Sequence, residues 1–428
     1  MTEAAPSSSW LDRPALVVGL CTLAYLPFTL LGYGTDIDVA NVLRAGRSWL
    51  DDGDYQLSRG PGAAVHELAT AALDRVGGSV LVNLASVALA AVILWAVHEL
   101  VRRDGARHPS WVVVVLASNP WFWIAATSLG DFVWALAAVL AGAVAAQRDR
   151  RLLAGLLFGL SIACRASSVL LVAGWLIAER ISRVTAGDRT GGDAEIPPGT
   201  ERERSGGADL EVRPWWPKSI ATAGVAVAVA ILCFVPPWLD ANRTFGFLDN
   251  ELEFAGVGVH LGRWLVKNLA VIGIPAGAVL LVGARHLQRA LARWRTSTLV
   301  RFAALSIVLV ELLFYRLPFK PLHLLPVVVA AVLLIGASPT VTRRWLAALV
   351  VAQLIGGLVG TTLAAPDVED DAQSGQVDLG ITAGPLLTDV RCRFDDRDRG
   401  PWPKASDPAA NLRAEENAAC QNQTWRAG

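Results

Sequence analysis

The heptapeptide Thr35-Asp36-Ile37-Asp38-Val39-Ala40-Asn41 sets two carboxylates two residues apart, directly after a long apolar run. Three jobs suit that spacing. The carboxylates can take a proton from a hydroxyl, hold a divalent cation through their oxygens, or cap the helix after them, where negative charge is favoured. Cations recur further along the chain: Arg59 in Ser58-Arg59-Gly60-Pro61-Gly62, Arg165 after LLAGLLFGLSIAC, and Arg316 and Lys320 in RLPFKPLH. Arginine grips phosphate oxygens as a fork and lysine as a point charge. Arg165 interrupts an apolar stretch, and a charge at the bilayer centre costs about 2.5–3.5 kcal/mol on insertion scales. It therefore either holds a ligand or snorkels to the interface. Arg316 and Lys320 flank an apolar run, where ordinary interfacial anchors also occur. Asp131, in Ser128-Leu129-Gly130-Asp131, either caps the next helix or offers a polar group to a substrate. No Cys or His cluster has metal-ligand spacing, so no dedicated metal centre is expected.

The elements that must position these groups can be read from composition. Only 18% of the 428 residues are charged and 53% are hydrophobic, with mean hydropathy +0.43. Soluble domains carry about 25% charged residues. The 38 basic and 38 acidic residues cancel, which argues against nucleic acid as a partner. Apolar runs lie near 14–33, 79–100, 111–127, 131–147, 152–164, 168–179, 219–237, 264–283, 298–315, 322–337 and 345–364. With about 20 apolar residues needed per crossing, they predict an all-α integral membrane protein of about eleven transmembrane helices. The first run has no clear small-residue cleavage site after it and reads as a retained span.

Loop charge sets the orientation. With residues 1–13 cytoplasmic, the short inner loops hold Arg102, Arg103 and Arg107, then Arg148, Arg150 and Arg151, then Arg285, Arg289, Arg293 and Arg295, then Arg343 and Arg344. The short outer turns hold only Arg165, Arg316 and Lys320. That is the positive-inside asymmetry. The chain then divides into a transmembrane domain over 14–364 and an extracytoplasmic tail over 365–428. The domain includes an extracytoplasmic first loop (34–77), a flexible Gly/Pro-rich cytoplasmic loop (184–217) and a second outer loop (238–263). In the first loop, apolar positions 39, 42, 43 and 50 predict a helix lying in the interface plane, and 63–75 a second amphipathic stretch. Glu67 can pair with Arg59 across the intervening turn. Cys392 and Cys420 in the outer tail sit where a disulfide persists and are expected to form one.

Taken in order, these elements resemble the GT-C superfamily of polytopic glycosyltransferases, in its protein mannosyltransferase and aminoarabinose transferase-like branch. The resemblance rests on Asp36-Ile37-Asp38 after the first span and the stretch from Ala45 through Gly53 to Tyr55. It also rests on Ser58–Gly62, on Ser128–Asp131, on the run ending in Arg165, and on Arg316–Val328, where His323 replaces a usual tyrosine. It covers about residues 14–337.

The resemblance implies inverting sugar transfer from a polyprenyl-phosphate donor to a glycan, lipid or protein acceptor at the outer face of the plasma membrane. Asp38 is then the first choice for the base, since it precedes Ala45 by the family's spacing, and Asp36 the second. Arg59, Asp131, Arg165, Arg316, Lys320 and His323 become the substrate-binding set. The family includes metal-dependent and metal-independent members, so a divalent cation at Asp36 and Asp38 stays open. The competing reading is a transporter or flippase for a lipid-linked sugar or other solute. No internal repeat of the kind common in transporters is visible in the sequence.

Overall fold

The computed structural model describes residues 13–36, 38–191, 216–241, 243, 257–317, 320–363, 379–395 and 400–426. Ile37, most of the loop assigned to 184–217, residues 244–256 of the second outer loop and the start of the tail (364–378) lie outside the described residues.

The described residues are mostly helical, and a helix lies on every apolar run of the sequence. α1 (Pro14–Tyr25) continues as a 3-10 turn, Leu26–Leu30, and leads to α2 (Asp38–Asp52) and α3 (Ala64–Arg103). α4 (Pro109–Ala117), α5 (Pro120–Ala126), α6 (Asp131–Gln147), α7 (Arg151–Cys164) and α8 (Val169–Gly191) come next. The second half comprises α9 (Trp216–Asp240), α10 (Val257–Ile272), α11 (Ile274–Val282), α12 (Ala284–Leu291), α13 (Thr298–Arg316), α14 (Leu325–Gly336) and α15 (Arg343–Leu358). A small antiparallel pair, β1 (Val359–Leu363) and β2 (Leu379–Ala383), leads into α16 (Pro385–Asp395) and α17 (Pro408–Arg426).

Among the described residues, three helices, Ala64–Arg103, Ser219–Asp240 and Thr298–Arg316, are each long and apolar enough to cross a bilayer. Two bent pairs, α4 with α5 (75°) and α10 with α11 (85°), bring the figure to five if each pair is one crossing. The bends have local causes. Pro120 comes after Asn119, whose side chain accepts from the amides of Trp121 and Phe122 and so starts a new helix. Gly273 takes φ 74° with Pro275 just beyond it, which breaks the ladder between α10 and α11. α3 is likewise interrupted at Gly77 and Gly78, which separates the amphipathic stretch 63–75 from the long apolar part.

The largest fully buried side chains include Trp121, Phe122, Ile93, Leu94, Leu100 and Leu116, so the core lies where α3, α4 and α5 meet. The first loop differs from the expectation of a helix resting on the membrane. Val39, Val42 and Leu43 of α2 are buried against protein. Gly46 lies so close to α3 that a Cβ there would sit 2.3 Å from the Glu67 carbonyl oxygen. The apolar face of α2 is thus a packing face.

Residues expected on one side of the bilayer do meet at one end of the bundle. Arg148 pairs with Glu99 at 3.1 Å, Arg293 with Asp104 at 2.9 Å, and Arg343 reaches His108 at 3.4 Å. The first loop and the C-terminal segment gather at the opposite end of α3.

Candidate active site

Six charged side chains, far apart in sequence, form one alternating chain at that opposite end. Lys320 Nζ lies 2.6 Å from Asp36 Oδ1 and 2.9 Å from Asp38 Oδ2. Arg59 bridges Asp38 and Asp131, donating to one carboxylate from each terminal nitrogen. Arg165 closes the series on Asp131, at 2.9 and 3.0 Å from its two oxygens. The order is Asp36, Lys320, Asp38, Arg59, Asp131, Arg165, in which each charge is flanked by its opposite. Asp131 is almost sealed, at 2% side-chain exposure, whereas Asp38 retains 23%. Water and ligands therefore reach the series from the Asp38 side.

Each member is aimed by its own element. The Asp36 carbonyl accepts from the Val39 amide, and its side chain accepts from the Asp38 amide, both at 3.0 Å, so Asp36 caps α2 while pairing with Lys320. Asp38 is the first residue of α2 but turns its carboxylate to the cations instead of the helix end. Asp131 opens α6 after Gly130 and is not a side-chain cap; two guanidiniums engage its oxygens instead. Arg165 stops α7 in an extended conformation and stacks its guanidinium 3.7 Å from the centroid of the Phe132 ring. Burial with two hydrogen bonds replaces snorkelling. Lys320 precedes a 3-10 turn, Pro321–Leu324, that sets the His323 ring 5.6 Å from Phe132.

Two expectations shift. Arg316, at the end of α13, is exposed and makes no ion pair with described residues. Glu67 does not pair with Arg59. It accepts instead from the hydroxyls of Ser58 and Tyr55 (2.5 Å from Tyr55) and from the Ala63 amide at 3.2 Å. These bonds fold the Ser58–Gly62 turn that carries Arg59, so Glu67 positions the arginine from behind. Burial raises the Glu67 carboxyl despite the donors around it.

Electrostatics reflect the pairing. Burial alone would raise the Asp38 carboxyl, but Arg59 and then Lys320 outweigh it and hold it below the ordinary carboxylate range. Burial would likewise lower the Lys320 ammonium, but Asp36 and Asp38 more than reverse that. His66, fully buried and edge-on to Trp134 with ring centroids 5.4 Å apart, is pulled down to about 4 by burial and stands neutral. The Lys320 ammonium bridges Asp36 and Asp38. Among the described residues, no group of three or more His, Cys, Asp or Glu is arranged to hold a metal ion. Away from this series, Cys392 and Cys420 form a disulfide, with Cα atoms 5.6 Å apart.

No sequence family and no curated protein matches the chain. Solved structures do. The crystal structure of ArnT from Cupriavidus metallidurans bound to undecaprenyl phosphate superposes with a TM-score of 0.57 at 16% identity, covering 98% of this chain and 78% of that one. ArnT from the same organism in the apo state gives a TM-score of 0.52 at 17% identity, covering 96% and 77%.

The chain has the ArnT fold.

The match extends over the tail as well as over the stretch that carries the motifs. Within the ArnT-like fold, some polar residues went unnoticed in the sequence. Lys267 of α10 lies near enough for its charge to act on His323. Glu311 of α13 accepts from Trp264 Nε1 at 2.7 Å and from Asn268 at 3.3 Å, which ties α13 to α10. Both interrupt apolar runs, the signal that singled out Arg165, and both were legible on that ground.

Proposed function

We propose that the chain is an integral membrane glycosyltransferase that moves a sugar from a polyprenyl-phosphate donor to a cell-envelope acceptor. The observation that carries this reading is the alternating series itself. Three carboxylates and three cations from separate elements converge on one partly open site, in the fold whose solved example holds undecaprenyl phosphate. We read the helical runs as about eleven crossings, since each crossing reverses the chain and only an odd number places the first loop and the tail together opposite residue 13. The Arg-rich end is then cytoplasmic and the site extracytoplasmic.

In this mechanism the acceptor hydroxyl gives its proton to Asp38, and its oxygen attacks the anomeric carbon of the donor sugar. The bond from that carbon to the phosphate oxygen breaks. Its electron pair leaves with polyprenyl phosphate, and the anomeric configuration inverts. Arg59, Arg165 and Lys320 take the charge growing on the phosphate, while Arg316 approaches from the rim. In the free protein Arg59 and Lys320 keep Asp38 ionised but a weak base. As the donor phosphate draws those cations to itself, the proton affinity of Asp38 rises. Donor binding thereby activates the base.

The test is direct. Purified protein receives a labelled polyprenyl-phosphate sugar and a cell-envelope acceptor fraction. Release of polyprenyl phosphate that disappears in Asp38→Asn supports the enzyme. Movement of lipid or solute across liposomes with no glycosidic bond broken would replace it with a transporter.

A further inference from the structure

The C-terminal segment is tied to the two stretches that carry the acidic residues, and the ties are buried. Arg393 of α16 is 2% exposed. One of its terminal nitrogens donates to the carbonyls of Thr127 (2.6 Å), Phe28 (3.1 Å) and Gly32 (3.4 Å). The other donates to Thr127 Oγ1 at 3.1 Å and to Asp389 Oδ2 at 3.2 Å. Phe28 and Gly32 lie at the end of the 3-10 turn after α1, and Thr127 ends α5. Carbonyls at helix ends lack intrahelical partners and favour a cation. One guanidinium therefore serves two helix ends at once and holds them together. Asp389 adds the second tie, accepting from Thr35 Oγ1 at 2.8 Å.

Both tied segments run straight into the charged series. Thr35 immediately precedes Asp36, and Thr127 lies one helical turn before Asp131. The two segments touch directly as well, through the Leu129 amide on the Tyr33 carbonyl at 2.9 Å. Gly34, at φ 111°, comes so close that a Cβ would meet Ser128 Cβ at 2.5 Å. A third tie lies to one side: the Trp402 amide donates to Asp74 at 3.1 and 3.2 Å, and Asp74 also accepts from Tyr33 Oη at 2.6 Å and from Arg47 at 2.8 Å. The disulfide joins Cys392, the neighbour of Arg393, to α17.

We propose that the C-terminal segment is part of the site's framework, with Arg393 and Asp389 as positioning residues that set the separation between the Asp36–Asp38 stretch and Asp131, and with the Cys392–Cys420 bond holding α16 in place for that task. The claim rests on reading the charged series as the catalytic site. Neither residue touches the series itself. A misplacement of about 1 Å is enough to slow a positioned reaction about a hundredfold.

The full-length protein in lipid nanodiscs tests this by two readouts. Hydrogen exchange tracks the amides of Leu129 and Val39, and steady-state transfer from the labelled donor tracks catalysis. Arg393→Leu is expected to speed exchange at both amides at least about tenfold. It should lower kcat about a hundredfold while the donor KM stays within about threefold. Thr35→Val, a milder change suited to the case in which Arg393→Leu does not fold, should lower kcat about threefold to tenfold, the scale of one lost hydrogen bond. Reduction of the disulfide, or Cys420→Ser, should move both readouts in the same direction. Exchange at Leu129 and Val39 that stays at the wild-type rate in Thr35→Val and in the reduced protein overturns the proposal whatever the activity. Exchange that responds, in a wild-type protein that transfers no sugar, upholds the positioning role and removes the transferase reading instead.

Discussion

The two ends of α3 each gather ion pairs, and they are built differently. At the Arg-rich end, Glu99 is paired with Arg102 and Arg103 from its own helix, at spacings of three and four residues, and with Arg148. Those arginines are open to water, with Arg102 54% exposed. At the site end, Arg165 is 14% exposed, and every partner comes from another element. Water-exposed pairs contribute little to stability. Long-range, desolvated pairs are costly to form and costly to break, so their geometry is held firmly. The contrast separates cations that stay open to water from cations enclosed among partners drawn from other elements.

The sharpest way to break that contrast is at Asp38. Asp38→Asn should reduce turnover about 10²–10⁴-fold, the range of a lost general base, with donor binding retained in a direct lipid-binding assay. Glu99→Gln at the other end should leave turnover unchanged, and equal losses from both would erase the distinction. Next comes stability. Asp131→Ala leaves Arg59 and Arg165 without their shared partner, and should cost about 3–5 kcal/mol in thermal or denaturant unfolding in micelles. The corresponding cost of Arg102→Ala, whose side chain is 54% exposed, should be about 0–1 kcal/mol, the scale of exposed pairs.

A smaller effect tests how the base is activated. The kcat/KM profile reports the free protein, in which Arg59 and Lys320 hold Asp38 below the usual carboxylate range of about 3.9. Its acid limb should fall below that value. The kcat profile reports the donor complex, where those cations have turned to the phosphate, and its acid limb should lie higher. Because the folded value is depressed, the stability from this pairing is present above the unfolded value and fades as pH drops through the folded one. Coincident limbs would show that the cations never leave Asp38. Smallest of all should be Arg316→Ala. Its exposed side chain lies outside the series, and the expected change in donor KM is within about threefold, as for a rim charge.

How much of this was legible differs between the same two ends. Charges that interrupt or flank apolar runs stand out in a hydrophobic sequence, and Asp36, Asp38, Arg165 and Lys320, chosen on that ground, lie in one series in the structure. The Arg-rich loops were readable for the same reason. Most of the supporting shell was not. Glu67 was read as a partner of Arg59, but Asp74 sits in the same amphipathic stretch, and Asp389 and Arg393 in a polar tail, where charges ordinarily face water. Their burial arises only when α2, α3 and α16 pack together. Arg316, a cation flanking the same turn, is exposed and lies outside the series.

One contact made by α9 carries a mechanical consequence. The helix packs through one seam, against Gly155 and Gly159 of α7, and its remaining surface is largely open. Its far end meets the turn that bears Arg59 twice, through Asp240 accepting from the Leu57 amide at 2.8 Å and through Pro237 against Gly62. A helix with so few protein neighbours adjusts its tilt to the thickness of the surrounding hydrocarbon. A change in that tilt would reach the turn that bears Arg59 through these two contacts.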